Sequence, residues 1–449
     1  MPTADELLNQ AWQVHLAGQP IQAEQMYRQV LASYPGSAAA WTYLGMALHD
    51  QMRFEEAVAV FQQSLALDPN LAQTYQNMGK SLGRLRRFDE AIVCFDRAIL
   101  LLPTYLNAYK NKARAEYWKG DIHAALQSHL QTLALAPSDV ETRMNIGMIY
   151  LRLGDTARGW PEYQWRWNTK DGALPQLPQP LWDGSSLNGK SILLTPEQGL
   201  GDSIQFVRYA AFLKERFDCR VVFRCPRALV NLLSTCPGID QLVTVDMPPV
   251  ATDYFAPLLH IPAVFGHAPT DFPCQVPYIT ASEHLVQQWR ERLASHPVKK
   301  IGIAWRGSPL APADAMRSIP LGQFAPVARV PDVQLFSLQK GPGSEELAAH
   351  AQSMNIVDLG SKLDENTGAF VETAAVLRNL DLLIACDTAI IHVAGALGVP
   401  VWVAVGNVPD WRWMIDREDV PAYPSMRLFR QPTFGDWPHV FNRIAAAMR

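Results

Sequence analysis

The sequence predicts two architectures in series: an α-helical repeat array, then an α/β region of two doubly wound sheets. Three observations carry that prediction. Pro35, Pro69, Pro103 and Pro137 recur every 34 residues. From Ser191 onward, short apolar runs alternate with helical patterns, the mark of a parallel sheet covered by helices. Between two such patterns lies Glu197-Gln198-Gly199-Leu200-Gly201-Asp202-Ser203, a strand-to-helix turn rich in Gly with an Asp where the helix begins.

The repeats come first. Ala23, Ala57, Ala91 and Ala125 keep the 34-residue step, and Tyr27, Phe61 and Phe95 follow it, with His129 as the departure. Trp41, Tyr75 and Tyr109 open three units; Gly45 and Gly79 follow, and Ala113 replaces Gly in the next. Small residues where two helices cross, aromatics in the gaps and Pro at the end of the second helix resemble the tetratricopeptide repeat. Four repeats fill residues 4–138, and a divergent fifth starts near Glu141 with Gly147 in register.

Composition bounds the partners and the compartment. A net charge of −4 over 449 residues gives no footprint for nucleic acid or anionic membrane. Cys94, Cys219, Cys225, Cys236, Cys274 and Cys386 form no C-x-x-C pair, so reduced thiols are expected. The first ten residues carry Asp5 and Glu6 and no apolar core, unlike a signal peptide, and no apolar run is long enough to span a bilayer. The expectation is a cytoplasmic protein.

Past the repeats, Gly159–Trp167 packs four aromatics into nine positions and reads as the helix that caps the array. Residues 168–189, with Pro175, Pro178 and Pro180, read as a linker. Within it, Gly184-Ser185-Ser186-Leu187-Asn188-Gly189-Lys190-Ser191 matches the P-loop pattern. A P-loop needs a strand before it and a helix after it; here the order is reversed, so the match is fortuitous. The expected domains are 1–167 for repeats and capping helix, 168–189 for the linker, 190–280 for the first α/β half and 281–449 for the second.

In the first half, strands fall at Ser191–Thr195, Arg220–Arg224, Leu242–Val245 and Asp253–Leu259. One helix is expected from Asp202 to Phe217. The second half has strands at Lys300–Trp305, Val333–Leu338, Asn355–Leu359, Leu380–Ala385 and Val399–Val405. Two such units bind ligands at the carboxyl ends of their strands. The Gly199–Gly201 turn lets backbone approach a ligand, but Ile204 stands where a dinucleotide fingerprint needs its third Gly. In the second half, a buried strand ends at Asp387, Thr388 opens a helix, and His392 lies one turn on. That turn offers a hydroxyl and free amides to a phosphate, with a carboxylate beside them for sugar hydroxyls.

Gly201-Asp202, together with Asp387-Thr388-x-x-x-His392 and Gly398-x-Pro400, resembles glycosyltransferase family nine, the heptosyltransferase-like enzymes of GT-B fold. The resemblance covers about residues 190–449. The whole layout is similar to bacterial tetratricopeptide-repeat glycosyltransferases and, in organisation, to O-GlcNAc transferase. It implies inverting transfer from a nucleotide-diphosphate sugar with no cofactor and no metal; the sequence contains no Asp-x-Asp. By the same resemblance Asp202 matches the general base, Asp387 and Thr388 the donor contacts, and His392 the helix His. Ala389 stands where the family has Gly. Arg317 falls where a basic phosphate ligand is placed, and Lys340 offers the same charge. Gln198, Gly199, Gly201, Trp305 and Gly307 are expected in nearby loops. Trp411, Arg412 and Trp413 either close over the donor or pack. The alternatives are transfer to a glycan or lipopolysaccharide, and a repeat scaffold with an inactive transferase domain.

Asn77, Asn111 and Asn145 share the 34-residue step on the first helix of their units. In this repeat family that helix lines the concave face, so the row resembles the asparagine ladder of O-GlcNAc transferase. An amide side chain pairs with peptide backbone without regard to sequence, which implies a protein acceptor in the groove.

Overall fold

A small residue facing a ring is the joint from which the first third is built. A Cβ on Gly45 would lie 2.5 Å from the Phe61 ring, and one on Gly79 would lie 2.6 Å from Phe95. Only Gly lets these helices cross so closely. In the next repeat both partners change together: Ala113 takes the Gly position and the smaller His129 takes the Phe position, both buried.

A computed structural model describes residues 3–169, 172–308 and 314–449. The chain divides into two compact units, Met1–Ile149 and Tyr150–Arg449. The first is a tetratricopeptide-repeat superhelix. Its helices are α1 (Ala4–Leu16), α2 (Pro20–Ser33), α3 (Ala38–Asp50), α4 (Phe54–Leu67), α5 (Ala72–Arg84), α6 (Phe88–Leu101), α7 (Leu106–Lys119) and α8 (Ile122–Leu135), with α9 (Val140–Arg152) opening the fifth unit. First helices touch first helices, α1 to α3, α3 to α5 and α5 to α7, so they form one continuous layer. Ala23, Ala57, Ala91 and Ala125 have no exposed surface, as a crossing point demands.

The boundary expected after Trp167 falls earlier. Helix α10 (Thr156–Tyr163) and the turn after it belong to the second unit, because Trp160 and Tyr163 set their rings edge-on against Trp411, at 5.3 and 5.8 Å. The expected linker also differs from the sequence reading; its residues 170 and 171 lie outside the described residues. Leu174, Leu177 and Leu181 pack on the first sheet, and Trp182 is wholly buried. The Trp182 amide donates to the Phe255 carbonyl at 2.8 Å. Leucines spaced between prolines, not the prolines themselves, decide this segment's fate.

The second unit holds two sheets of parallel strands, a fold of α/β class. The first contains β1 (Lys190–Thr195), β2 (Cys219–Cys225), β3 (Gln241–Thr244) and β4 (Tyr254–Pro257), in the order β3-β2-β1-β4. The second contains β5 (Lys299–Ala304), β6 (Val333–Ser337), β7 (Ile356–Asp358), β8 (Leu382–Cys386), β9 (Val401–Val405) and β10 (Met426–Arg430), in the order β10-β9-β8-β5-β6-β7. Counted from β5, that is the doubly wound order 3-2-1-4-5-6, whose direction reverses between β5 and β8. Every residue of β8 is buried, as expected of a central parallel strand covered on both faces.

The single helix expected from Asp202 to Phe217 is two: α11 (Leu200–Phe206) and α12 (Tyr209–Arg216). Arg208 breaks it by turning inward. Its Nε donates to the Gln205 carbonyl at 2.9 Å, and its Nη atoms reach the carbonyls of Pro273 and Ala422 and the Tyr278 hydroxyl. All six cysteines are unbridged, and only Cys274 is exposed. Among the described residues no helix is long and apolar enough to cross a membrane.

Candidate functional site

The reversal point between β5 and β8 sets out the site, because loops leaving those two strands diverge there and open a crevice. From β8 comes Asp387, then Thr388, whose extended backbone opens the helix Ala389–Ala396. No side chain caps that helix through Thr388, which leaves the Ala389 and Ile390 amides at its first turn without a capping acceptor. From β5 comes Gly307. A Cβ there would lie 2.9 Å from Arg317 Nη2, so the guanidinium lies against bare backbone. The Arg317 charge is close enough to Asp387 to pull on its titration.

Asp387 is not held as an ordinary surface carboxylate. Burial pushes its pKa up to about 6, and the neighbouring Asp410 charge adds to the rise. The Trp413 indole opposes it, donating Nε1–H to Asp387 Oδ2 at 2.7 Å, and Arg317 and Arg412 pull the same way. His392 lies buried with its ring stacked on Trp413 and Nδ1 3.2 Å from the Tyr423 hydroxyl. Burial pushes its pKa well below the ordinary histidine value, so it is a neutral ring at pH 7.

The first half meets this turn through α11. A Cβ on Gly201 would lie 3.0 Å from His392 Cδ2 and 3.3 Å from Ala389 Cα. The close approach that Gly201 permits is therefore to the Ala389 helix, where the sequence suggested a ligand. Ala389 serves the same contact as the small residue on the other side.

Asp202 is the third residue of α11 and reaches back to cap it: the Gly199 amide donates to Oδ2 at 2.8 Å. Its Oδ1 takes a hydrogen bond from Arg412 Nη2. Burial raises the Asp202 pKa and the Arg412 charge opposes the rise. Arg412 itself is buried, and burial works against its charge, but Asp410 at 2.8 Å and Asp202 outweigh that and hold its pKa above the ordinary value. One guanidinium thus ties α11 to the Asp410–Trp413 segment of the second half. A pocket lined by Gln205, Phe272, Arg412, Trp413 and Val420 opens beside it; Asp387 and Thr388 do not line that pocket.

Other expected residues fall elsewhere. Trp305 is the first residue past β5, as expected of a loop position, but its ring is wholly buried in the core of the second sheet with Ile303, Phe324 and Ile384. Lys340 follows β6, one strand further from the reversal point, and donates to the Leu363 carbonyl. Gln198 adopts a left-handed backbone and its amide donates to the Tyr163 hydroxyl at 2.8 Å. Glu197 beside it accepts both arms of the buried Arg166 guanidinium. In the repeats, Asn77 is buried, Asn111 Oδ1 accepts from Arg114 Nη2 at 2.6 Å, and Asn145 is half-buried.

Sequence reasoning missed Arg208, Tyr278, Tyr423 and Asp410. Arg208 stacks between the Tyr278 and Tyr423 rings, its guanidinium 4.4 Å from each centroid, and Tyr278 and Tyr423 share a hydrogen bond at 3.1 Å that leads on to His392. One signal was available: Phe206-Val207-Arg208-Tyr209 sets a charge inside an apolar run, where it must be satisfied within the protein. Among the described residues no group of three or more His, Cys, Asp or Glu is placed to hold a metal ion.

Residues 17–72 and 72–105 each match a tetratricopeptide repeat model. Protein FlbA of Caulobacter vibrioides is 27% identical over 328 residues, a stretch covering 67% of this chain and 54% of that protein. The chain thus matches about half the length of its curated relative. Among solved structures, MamA (41-end) from Desulfovibrio magneticus RS-1 is 17% identical with a TM-score of 0.34, covering 36% of this chain and 91% of that one. A thermophilic tetratricopeptide-repeat protein of Thermus thermophilus, TTC0263, is 18% identical with a TM-score of 0.32, covering 38% of this chain and 93% of that one.

Proposed function

We propose that the second unit is an inverting glycosyltransferase that moves a sugar from a nucleotide-diphosphate sugar to a protein acceptor presented by the repeats, in the cytoplasm and without a metal. The observation that carries this reading is the convergence at one crevice. Asp387, the Thr388 turn and Arg317 flank the reversal point of the second sheet, and Gly201 and Asp202 come against the same helix from the first half. The diphosphate sits on the free amides of the Ala389 helix, beside the Thr388 hydroxyl, with Arg317 balancing its charge. Asp387 accepts a hydrogen bond from a sugar hydroxyl.

Asp202 takes the proton from the acceptor hydroxyl as that oxygen bonds to the anomeric carbon. The bond from the anomeric carbon to the diphosphate oxygen breaks on the opposite side, which inverts the configuration. Arg317 and the helix amides receive the charge left on the nucleotide diphosphate. The acceptor's approach displaces Arg412 from Asp202 Oδ1, while the bond from Gly199 keeps Oδ2 in place.

A second reading is favoured by one specific observation. Both Asp202 oxygens already have partners, Gly199 and Arg412, as in a purely structural cap. That arrangement suits a repeat scaffold whose α/β unit no longer transfers. Titration calorimetry of the full chain with a panel of nucleoside diphosphates separates the two. One nucleotide is expected to bind, and Arg317→Ala to weaken it by about tenfold or more, the loss of a charge-assisted contact. A folded parent that binds none of the panel overturns the transferase reading in favour of the scaffold.

A further inference from the structure

Several cations of the repeat unit are neutralised by their own neighbours. Arg28, Arg53, Arg87, Lys110, Lys112 and Lys119 each pair with a carboxylate. Of the cations with no ion pair among the described residues, three stand together. Lys80 and Arg84 lie one turn apart on α5, with Asn77 one turn before them. Arg114 on α7 is at the 34-residue equivalent of Lys80, and Asn111 at the equivalent of Asn77. Because α5 and α7 touch, these equivalent positions stack side by side on the layer of first helices.

The stripe is also held open. Arg84 lies over the Phe54 ring, 4.9 Å from its centroid, and remains exposed. Arg114 is exposed too, fixed by Asn111 at 2.6 Å. The carboxylate at the α3 equivalent of Arg84, Asp50, lies 2.9 Å from His15 Nε2 and makes no ion pair with Lys80 or Arg84 among the described residues. His49, beneath Lys80 and Arg84, is pushed down to about 4, first by burial and then by Lys80, so it adds no charge.

We infer that the segment received by the repeats is acidic: an extended peptide whose carboxylates meet Lys80, Arg84 and Arg114. This rests on the reading of the repeats as an acceptor groove and adds the chemical class of what enters it. Unpaired cations at a repeating interval suit side-chain carboxylates spaced along a strand, and complementary charge sets partner choice and association rate.

The test uses fluorescence anisotropy with the full chain and three labelled octapeptides that alternate Gly with Glu, Gln or Lys. The Glu peptide is expected to bind about tenfold tighter than the Gln peptide near 50 mM salt, with the preference fading towards about 500 mM. The triple variant Lys80→Glu, Arg84→Glu, Arg114→Glu is expected to abolish the preference while circular dichroism reports an intact helical array. If that variant does not fold, Lys80→Gln with Arg114→Gln takes its place. Equal affinity of the parent for Glu and Gln peptides, or a preference that survives the charge changes, overturns the inference. The groove itself is tested apart from its charge by Asn77→Ala, Asn111→Ala, Asn145→Ala. If that variant loses peptides of every charge while the parent binds them equally, the groove stands and the acidic partner falls.

Discussion

The two sheets of the second unit begin with the same winding, 3-2-1-4 from their own first strands, yet their turns at the reversal point are put to different uses. In the first sheet the turn after β1 is occupied by the protein itself. Glu197 holds Arg166, Gln198 holds Tyr163, and Asp202 holds Gly199 and Arg412. In the second sheet the turn after β8 keeps its Thr388 hydroxyl and helix amides uncommitted by any cap. The same topology thus supplies a turn filled by the protein's own side chains in one half and an uncapped helix start in the other. Topology places both turns; the side chains decide which is filled.

Three changes break or sharpen that contrast, from the largest effect down. Asp202→Asn keeps an oxygen for the Gly199 amide but cannot take a proton. Sugar transfer is expected to fall by roughly 10²–10⁴ with nucleotide affinity nearly unchanged, measured by single-turnover kinetics beside calorimetry. Transfer within a few-fold of the parent would make the first turn a socket and nothing more.

Next comes Arg412→Met, which strips the cation from between Asp202 and Asp410 and leaves buried carboxylates uncompensated. Stability is expected to drop by roughly 3–5 kcal/mol in urea unfolding. A loss below about 1 kcal/mol would show that the ion pair, though buried, is no keystone.

The smallest effect is on pH dependence. With its pKa pushed up from 3.8 to about 6, folded Asp387 keeps its proton where the unfolded chain has released it. Unfolding is therefore increasingly favoured as pH rises from about 4 to 6, and the penalty is constant above that. Asp387→Asn retains an acceptor for the Trp413 indole and removes the titration. Its melting temperature is expected to fall less between pH 4 and 6 than the parent's. Parallel profiles for the two proteins would place the carboxylate in ordinary solvent.

What was legible in the sequence follows a physical divide. The repeats were legible because each joint is local and recurs: a Gly or Ala must meet a ring 16 residues on, and the 34-residue step repeats the demand. Most strands of both sheets were legible as buried apolar runs. Strand β10 escaped because Arg427 and Arg430 interrupt its pattern at the sheet edge, where alternate side chains reach solvent. At the candidate site, the strand-to-helix turns that carry Asp202, Asp387 and Thr388 were legible. The pairing of Asp202 with Arg412 was not, since 210 residues separate them and no periodicity links them. Trp305 was read as a loop residue and lies just past β5, but its burial was not legible, because nothing local shows which way a ring packs.

Arg208 carries a consequence for how the second unit is made. Its contacts come from Gln205, Pro273, Tyr278 and Ala422, so the charge is satisfied only when segments from both sheets are present together. A first half alone would keep the contacts from Gln205, Pro273 and Tyr278 but lack the Ala422 carbonyl and the Tyr423 ring. The second half therefore completes a socket that the first half has already begun. A chain that ends before Ala422 is expected to leave this buried charge short of one carbonyl and one ring.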